Sequence, residues 1–279
     1  MILLDRAIPP NCDIVLHGDT HDGNSLMCRK KLDSLLDWIL ADKHRYFVHM
    51  GDETDAITTD DKRYSHETCD QPIPLEQRDS VVEQYWRARR RCIAWLNGNH
   101  NQKLARFGNI TADICRALGV PYGSWTCKLR LHDKQGQILK MFLTHGFRGT
   151  INSNAKDHMQ RAANLKAGMR RKLENKAADC LLMAMGHTHK LMVAEPARRL
   201  ILGDDGTAIT QNYLAAGRGD EPYIEPDARW YVNTGTFLGL YQIGVDSYAE
   251  QAGYDPNELG YAVARIRHRR LIAVEPVVI

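Results

Sequence analysis

Five short apolar runs, each leading into a turn that carries Asp, Asn or His beside glycine, constrain this chain more than any other feature. The runs span 13–17, 46–50, 92–96, 138–143 and 181–185. They lead into Gly18-Asp19-Thr20-His21, Gly51-Asp52-Glu53-Thr54-Asp55, Gly98-Asn99-His100-Asn101, Thr144-His145-Gly146 and Gly186-His187-Thr188-His189. Runs this short with few polar interruptions predict strands buried on both faces. Between the first two, Leu32, Leu35, Leu36, Ile39 and Leu40 recur at helical spacing among Lys, Arg and Asp. That is a strand–helix–strand unit, which predicts a parallel pair with a right-handed crossover. Open α/β sheets collect their ligands at the carboxyl ends of strands. The pattern therefore predicts that Asp19, His21, Asp52, Asn99, His145, His187 and His189 gather at one edge, with glycine permitting the sharp turns.

The remaining chain is read more coarsely. Residues 56–75 are polar, with Pro72 and Pro74, and read as a surface loop. A helix follows over 75–91, and a second, shorter one over 109–118 ends at Gly119 and Pro121. The alternating stretch 125–131 meets 138–143 across 133–136, a hairpin. Residues 151–178 read as helix and insertion, and the Gly-rich last third as short strands including 229–234 and 271–279. No repeat, low-complexity tract or linker is visible, so one domain over 1–279 is expected, with insertions at about 56–91 and 149–178.

Composition narrows the class of protein. Apolar residues make 43% and charged residues 25% of 279, the balance of an ordinary folded chain. The net charge of +3 is too near neutral for a nucleic-acid coat or a polybasic membrane binder. Mean hydropathy is −0.44, and no apolar run approaches a membrane span. The start, MILLDRAIPPNCD, lacks the basic and apolar regions of a signal peptide. The seven cysteines are odd in number and form no C-x-x-C pair, so a reducing cytoplasm without disulfides or membrane contact is the expectation. Cys12, Cys92 and Cys180 open apolar runs and read as buried small hydrophobes. Twelve histidines are the oddity, and the five turns hold most of those with a spacing signal. His17 and His49, inside apolar runs, read as core histidines. His44, His66, His132, His158 and His268 carry no spacing signal.

The order D-x-H, G-D, G-N-H, H and G-H-x-H resembles the calcineurin-like metallophosphoesterase superfamily. The segment Tyr231-Val-Asn-Thr-Gly-Thr236 is similar to the N-P-G-S segment that closes many such domains, with Thr234 where proline is commoner. The resemblance implies a four-layer α/β/β/α sandwich holding two divalent metal ions. One would take Asp19, His21 and His189, the other Asn99, His145 and His187, and Asp52 would bridge. Mixed imidazole and carboxylate ligands suit manganese first, with iron, zinc or nickel as alternatives. The resemblance further implies hydrolysis of a phosphate ester by a metal-bridging hydroxide, with His100 protonating the leaving oxygen. Asp55 is similar to the acid that orients this histidine; a helix N-cap is its other reading.

Departures from the Ser/Thr phosphatase branch bear on substrate. Asp55 is followed by Ala56 and Ile57, so the phosphate-gripping arginine is missing, and Asn101 replaces an acid. The expectation is a phosphodiesterase acting on a nucleotide or nucleic acid. A phosphomonoesterase, or a catalytically silent scaffold of the same fold, are the alternatives. Arg148 is a candidate phosphate contact. The runs 87–91 and 161–176 are candidates for a nucleic-acid groove, and Tyr64, Tyr85 and Trp86 for base stacking. Solvated helix faces are the competing reading of the basic runs.

Overall fold

A computed structural model describes residues 1–147, 149–213 and 217–279. In chain order its first half contains β1 (Ile2–Ala7), β2 (Cys12–His17), α1 (Arg29–Leu40), β3 (Arg45–His49), α2 (Pro74–Trp86), β4 (Cys92–Trp95), α3 (Asn99–Lys103) and α4 (Ile110–Leu118). There follow β5 (Thr126–Asp133), β6 (Gly136–Thr144), α5 (His158–Leu173), β7 (Leu182–Met185), β8 (Leu191–Ala194), β9 (Leu200–Asp204), β10 (Ile209–Tyr213), β11 (Trp230–Thr234), α6 (Tyr248–Gln251), β12 (Gly260–Arg267) and β13 (Arg270–Val278).

The strands form two main sheets, ordered β13-β12-β2-β3-β4 and β1-β5-β6-β7-β11-β8, and a separate β9–β10 ribbon. β2 pairs with β3 and β3 with β4 in parallel, as do β6 with β7 and β7 with β11. β5 and β6 form the expected antiparallel hairpin.

Alternation along each strand explains why the runs are apolar throughout. Ile14 and Leu16 face a core shared between the sheets, while Val15 between them faces the helices. Val48 and Ala94 likewise point inward, and Phe47 and Trp95 outward. In the other sheet, Met141, Leu143 and Ala184 join the shared core, and Phe142, Met183 and Met185 meet α5. Neither face of such a strand is wet, so both residue sets must be apolar. Outside the first sheet lie α1, α2 and α4, through Leu32, Leu36, Val81, Tyr85, Ile110 and Ile114. Outside the second lies α5, through Met169 and Leu173. The result is helix, sheet, sheet, helix, the layering that the resemblance implies.

Local signals behave as their chemistry dictates. Asn109 caps α4 by accepting the Ala112 N–H, and Gly119 ends it at φ +67°. The sequence reading assigns no strand to 2–7, where β1 forms along the edge of the six-stranded sheet. Its side chains alternate between half-buried and exposed, and its apolar signal is correspondingly diluted. All seven cysteines are free and six are buried. Among the described residues, no helix is long and apolar enough to cross a membrane.

Candidate metal centre

The five ligand-bearing turns follow β2, β3, β4, β6 and β7. They do not line the edge of one sheet, as the strand pattern predicts; three leave one sheet and two leave the other. Both sheets point these carboxyl ends the same way, so the turns converge over the seam. Backbone hydrogen bonds lace them together. The Asp19 N–H donates to Gly51 (2.9 Å), His21 to Asp52 (3.1 Å), Asp55 to Asp22 (2.9 Å) and Gly186 to His145 (3.0 Å). The turns hold non-glycine residues in the left-handed region: Asp19, His21, Asp52, His187 and His189 have φ between 49° and 72°. Such conformations persist only where the surroundings over-determine them, and they cluster at functional sites. Gly98 is required for a different reason. A Cβ there would lie 2.0 Å from Asp52 Oδ1, so any side chain would occupy the carboxylate's place.

The structure brings all seven predicted ligand residues together. One ligand atom from each of Asp19, His21 and His189 falls within 4.8 Å of the others, and the same holds for Asp52, His145 and His187. His21, Asp52 and His100 form a third such group. Asn99 joins the second group, its Oδ1 lying 2.8 Å from His145 Nε2 and 2.6 Å from His187 Nδ1. His21 and Asp52 each belong to two of the three groups.

Proton bookkeeping shows what these atoms fit. His145 Nδ1 faces the Met50 carbonyl at 2.9 Å and must be the donor there. Its Nε2 then faces Asn99 Oδ1 and, at 3.1 Å, Asp52 Oδ2. His21 Nδ1 faces the Asp55 carboxylate at 3.1 Å, which leaves its Nε2 lone pair pointing at His189 Nε2, 3.1 Å away. Asp19 Oδ1 is buried with no hydrogen-bond partner. Carboxylate and amide oxygens and imidazole nitrogens thus converge at close range, which is the arrangement a cation satisfies. Without a cation, a proton takes that place. Burial works against an imidazolium at His145, but the Asp52 charge outweighs it and raises the His145 pKa. Burial likewise raises Asp52, yet the facing His145 and His100 hold it well below the usual carboxylate range. His187 is pushed down by burial and by His145.

His100 and Asp55 meet beside these groups. His100 Nδ1 donates to the Asp55 carbonyl (2.6 Å) and lies 3.5 Å from its carboxylate, while the His100 N–H holds Asp52 Oδ1 at 2.8 Å. The side chain is 17% exposed, so it borders the opening. Burial opposes its charged form, but Asp52 and Asp55 raise its pKa. Asp55 is no helix cap, since α2 begins at Pro74 with Ile73 at its N-cap. Burial raises Asp55, and its bonds to His100 and His21 lower it further still.

Several supporting contacts join residues far apart in the sequence. Asn24 Nδ2 donates to Asp55 Oδ2 (3.1 Å), and its Oδ1 accepts the Leu26 N–H, which fixes the amide's orientation. Thr236 Oγ1 donates to the Asp19 carbonyl at 2.7 Å, so the 231–236 segment braces the first turn. Asn101 donates to Glu53 Oε1 at 2.7 Å. Burial pushes that carboxyl up to about 7. His17 and His49 are fully buried, stacked on Tyr85 and Trp95 respectively.

The other candidates scatter. Arg148 lies outside the described residues. Tyr85 is buried in the core and cannot stack on a base. In the run 87–91, Arg87 pairs with Asp33 and Asp37, and Arg91 binds the Lys43 carbonyl. On α5, Arg161 pairs with Asp255 and Arg170 with Asp227. These cations are engaged locally.

The five turns, in this order and over this layering, decide the comparison. Fold and motif order resemble the calcineurin-like metallophosphoesterases. No protein-family model and no curated protein matches the chain. Among solved structures, a metallophosphoesterase from Sphaerobacter thermophilus is similar at 15% identity, covering 96% of this chain and 88% of that one, with a TM-score of 0.37. A calcineurin-like phosphoesterase, YfkN from Bacillus subtilis, is similar at 10% identity over 81% and 82%, TM-score 0.37. Vps29 from Chaetomium thermophilum is similar at 11% identity over 97% and 96%, TM-score 0.36. The overlap with each is loose.

Proposed function

We propose that this chain is a metal-dependent phosphoesterase that hydrolyses phosphodiesters of the nucleotide or nucleic-acid class. The convergence of carboxylate, amide-oxygen and imidazole groups from five turns carries this reading. Asp19, His21 and His189 would hold one divalent cation, and Asn99, His145 and His187 a second, with Asp52 serving both. Such ions supply Lewis-acid stabilisation of a phosphoryl group and hydroxide at neutral pH. Manganese is the first candidate for this donor set, ahead of iron, zinc and nickel.

The chain's own groups would do the rest. The His100 Nδ1–H donates to the Asp55 carbonyl, so a second imidazole proton would sit on Nε2, from where it could pass to a leaving alkoxide. Burial opposes the charged form of His100, and Asp52 and Asp55 favour it. His21 and Asn24 hold the Asp55 carboxylate from two sides, which limits how the imidazole can turn. A diester is favoured over a monoester because Ala56 and Ile57, where an arginine would grip a terminal phosphate, are both buried and apolar. The complete donor set, with His100 beside it, favours an enzyme over a silent scaffold. Free, mostly buried cysteines suit the reducing cytoplasm.

The test is turnover of bis-p-nitrophenyl phosphate against p-nitrophenyl phosphate with manganese, iron, zinc and nickel in turn. Faster cleavage of the diester is expected. Turnover of neither ester under any metal would overturn the enzyme, and preference for the monoester would overturn the substrate class.

A further inference from the structure

A second site lies at the far end of the molecule. β4 begins at Cys92 and leads toward Asn99, and β1 runs parallel to β5, whose hairpin partner β6 leads to His145. The start of β4 and the end of β1 are therefore opposite the metal centre. There Arg6 of β1 and Arg89 and Arg90 of the turn before β4 line one concavity of about 410 Å³, with Cys92, Gly119, Val120 and Pro121.

No acidic side chain lines it. Among the described residues these three arginines enter no ion pair, whereas Arg87, two positions earlier, pairs with both Asp33 and Asp37. Arg6 gives one N–H to the Asp5 carbonyl (2.9 Å), and Arg89 gives one to the Trp86 carbonyl (2.8 Å). The Arg89 guanidinium also stacks 3.8 Å over the Trp86 ring, which orders it before any ligand arrives. The other guanidinium N–H donors of Arg6 and Arg89, and all those of Arg90, have no protein acceptor among the described residues. Three like charges around one hollow repel one another, and an anion between them removes that repulsion. Guanidinium forks match phosphate oxygens two at a time, and the hollow is shallow and open to solvent, which suits a small, hydrated anion.

We propose that this concavity binds a diphosphate group, either free pyrophosphate or the tail of a nucleoside diphosphate. It contains no carboxylate or imidazole, so it binds its ligand without hydrolysing it. It also stands independently of the metal centre's function.

The test is a ¹⁵N NMR titration of the zinc-loaded full-length protein with methylenediphosphonate, a pyrophosphate analogue that is not hydrolysed. Saturable shifts are expected at the amides of Cys92, Gly119 and Val120, separate from any at Gly146 and Gly186 beside the metal centre. In R6Q/R89Q/R90Q the first set should weaken at least about tenfold in affinity, with the second set unchanged. Should the triple variant fail to fold, R90Q alone, at an exposed position, is expected to weaken the first set severalfold. Tighter binding of α,β-methylene-ADP would assign the site to nucleotides, and equal binding to the bare diphosphate. Shifts confined to Gly146 and Gly186, or an unchanged first set in R90Q and the triple variant, would overturn the proposal.

Discussion

Asp52 is the residue through which the rest of the site is connected. It faces His145 through one oxygen and accepts the His100 N–H through the other. Asp52→Asn removes the charge and keeps the shape. Metal analysis of the purified variant should show a fall in metal content per chain, with activity down at least about a hundredfold. His100→Ala should behave differently, retaining metal while the rate falls by about 10²–10⁴. That loss should be larger for an alkyl ester than for a p-nitrophenyl ester, whose leaving group needs no proton. Metal loss in His100→Ala would instead make His100 a ligand, as its place within 4.8 Å of Asp52 and His21 donor atoms allows. The seven residues that converge were legible as a set because each motif is local: a strand end followed within a few positions by Asp, Asn or His near a glycine. Their braces were less so: Asn24, which reaches Asp55 across 31 positions, sits in no motif, and the segment ending at Thr236 stood out by resemblance while its bond to Asp19, across 217 positions, did not.

Two elements differ sharply in how much they matter to stability. Asp179, just before β7, binds Lys128 of β5 at 2.6 Å and Lys140 of β6 at 2.7 Å, tying three strands together. Burial raises its pKa, but the two lysines lower it more, from 3.8 to about 2. A depressed carboxylate stabilises the fold fully above its unfolded value and loses that contribution as pH falls through its folded one. Asp179→Asn should therefore cost roughly 1–2 kcal/mol at pH 7, measured by urea unfolding. It should also remove the matching loss of stability between pH 3.8 and about 2. The β9–β10 ribbon is the opposite case. Leu200, Leu202, Ile209 and Tyr213 are all more than half exposed, and a lone two-stranded ribbon adds little by itself. Replacing 200–213 with a short Gly-Ser turn should shift Tm by less than about 2 °C and leave diester cleavage unchanged. At this scale the buried strands were legible from their unbroken apolar runs. β1 was not, because an edge strand with half its side chains in water lacks that signature.

For the molecule as a whole, the candidate metal centre gathers two buried carboxylates, Asp19 and Asp52. Burial and Asp52 raise the Asp19 pKa, but His189 and His145 outweigh them, and a bound dication would take over that role. Ligands that bind the folded state alone stabilise it by about 2.7 kcal/mol at a hundredfold excess over Kd. Scanning calorimetry should therefore show Tm falling by about 5 °C or more on chelation, and recovering when manganese is returned. An unchanged Tm, with metal analysis confirming removal, would mean that the donors do not hold ions tightly. The net charge of +3 is counted without metal. Loading would make the molecule more positive where an anionic ester docks.

The sequence by itself determined which residue types stand after which strands. Hydrophobic period and turn chemistry act over a few positions, and a metal-donor motif can be read within that range. Only the tertiary structure decided that the strands divide between two sheets whose carboxyl ends share one seam. It also decided that Arg6 comes to stand beside Arg89 and Arg90. Pairing between strands is set by long-range packing of both faces at once, and no local window of residues contains that information.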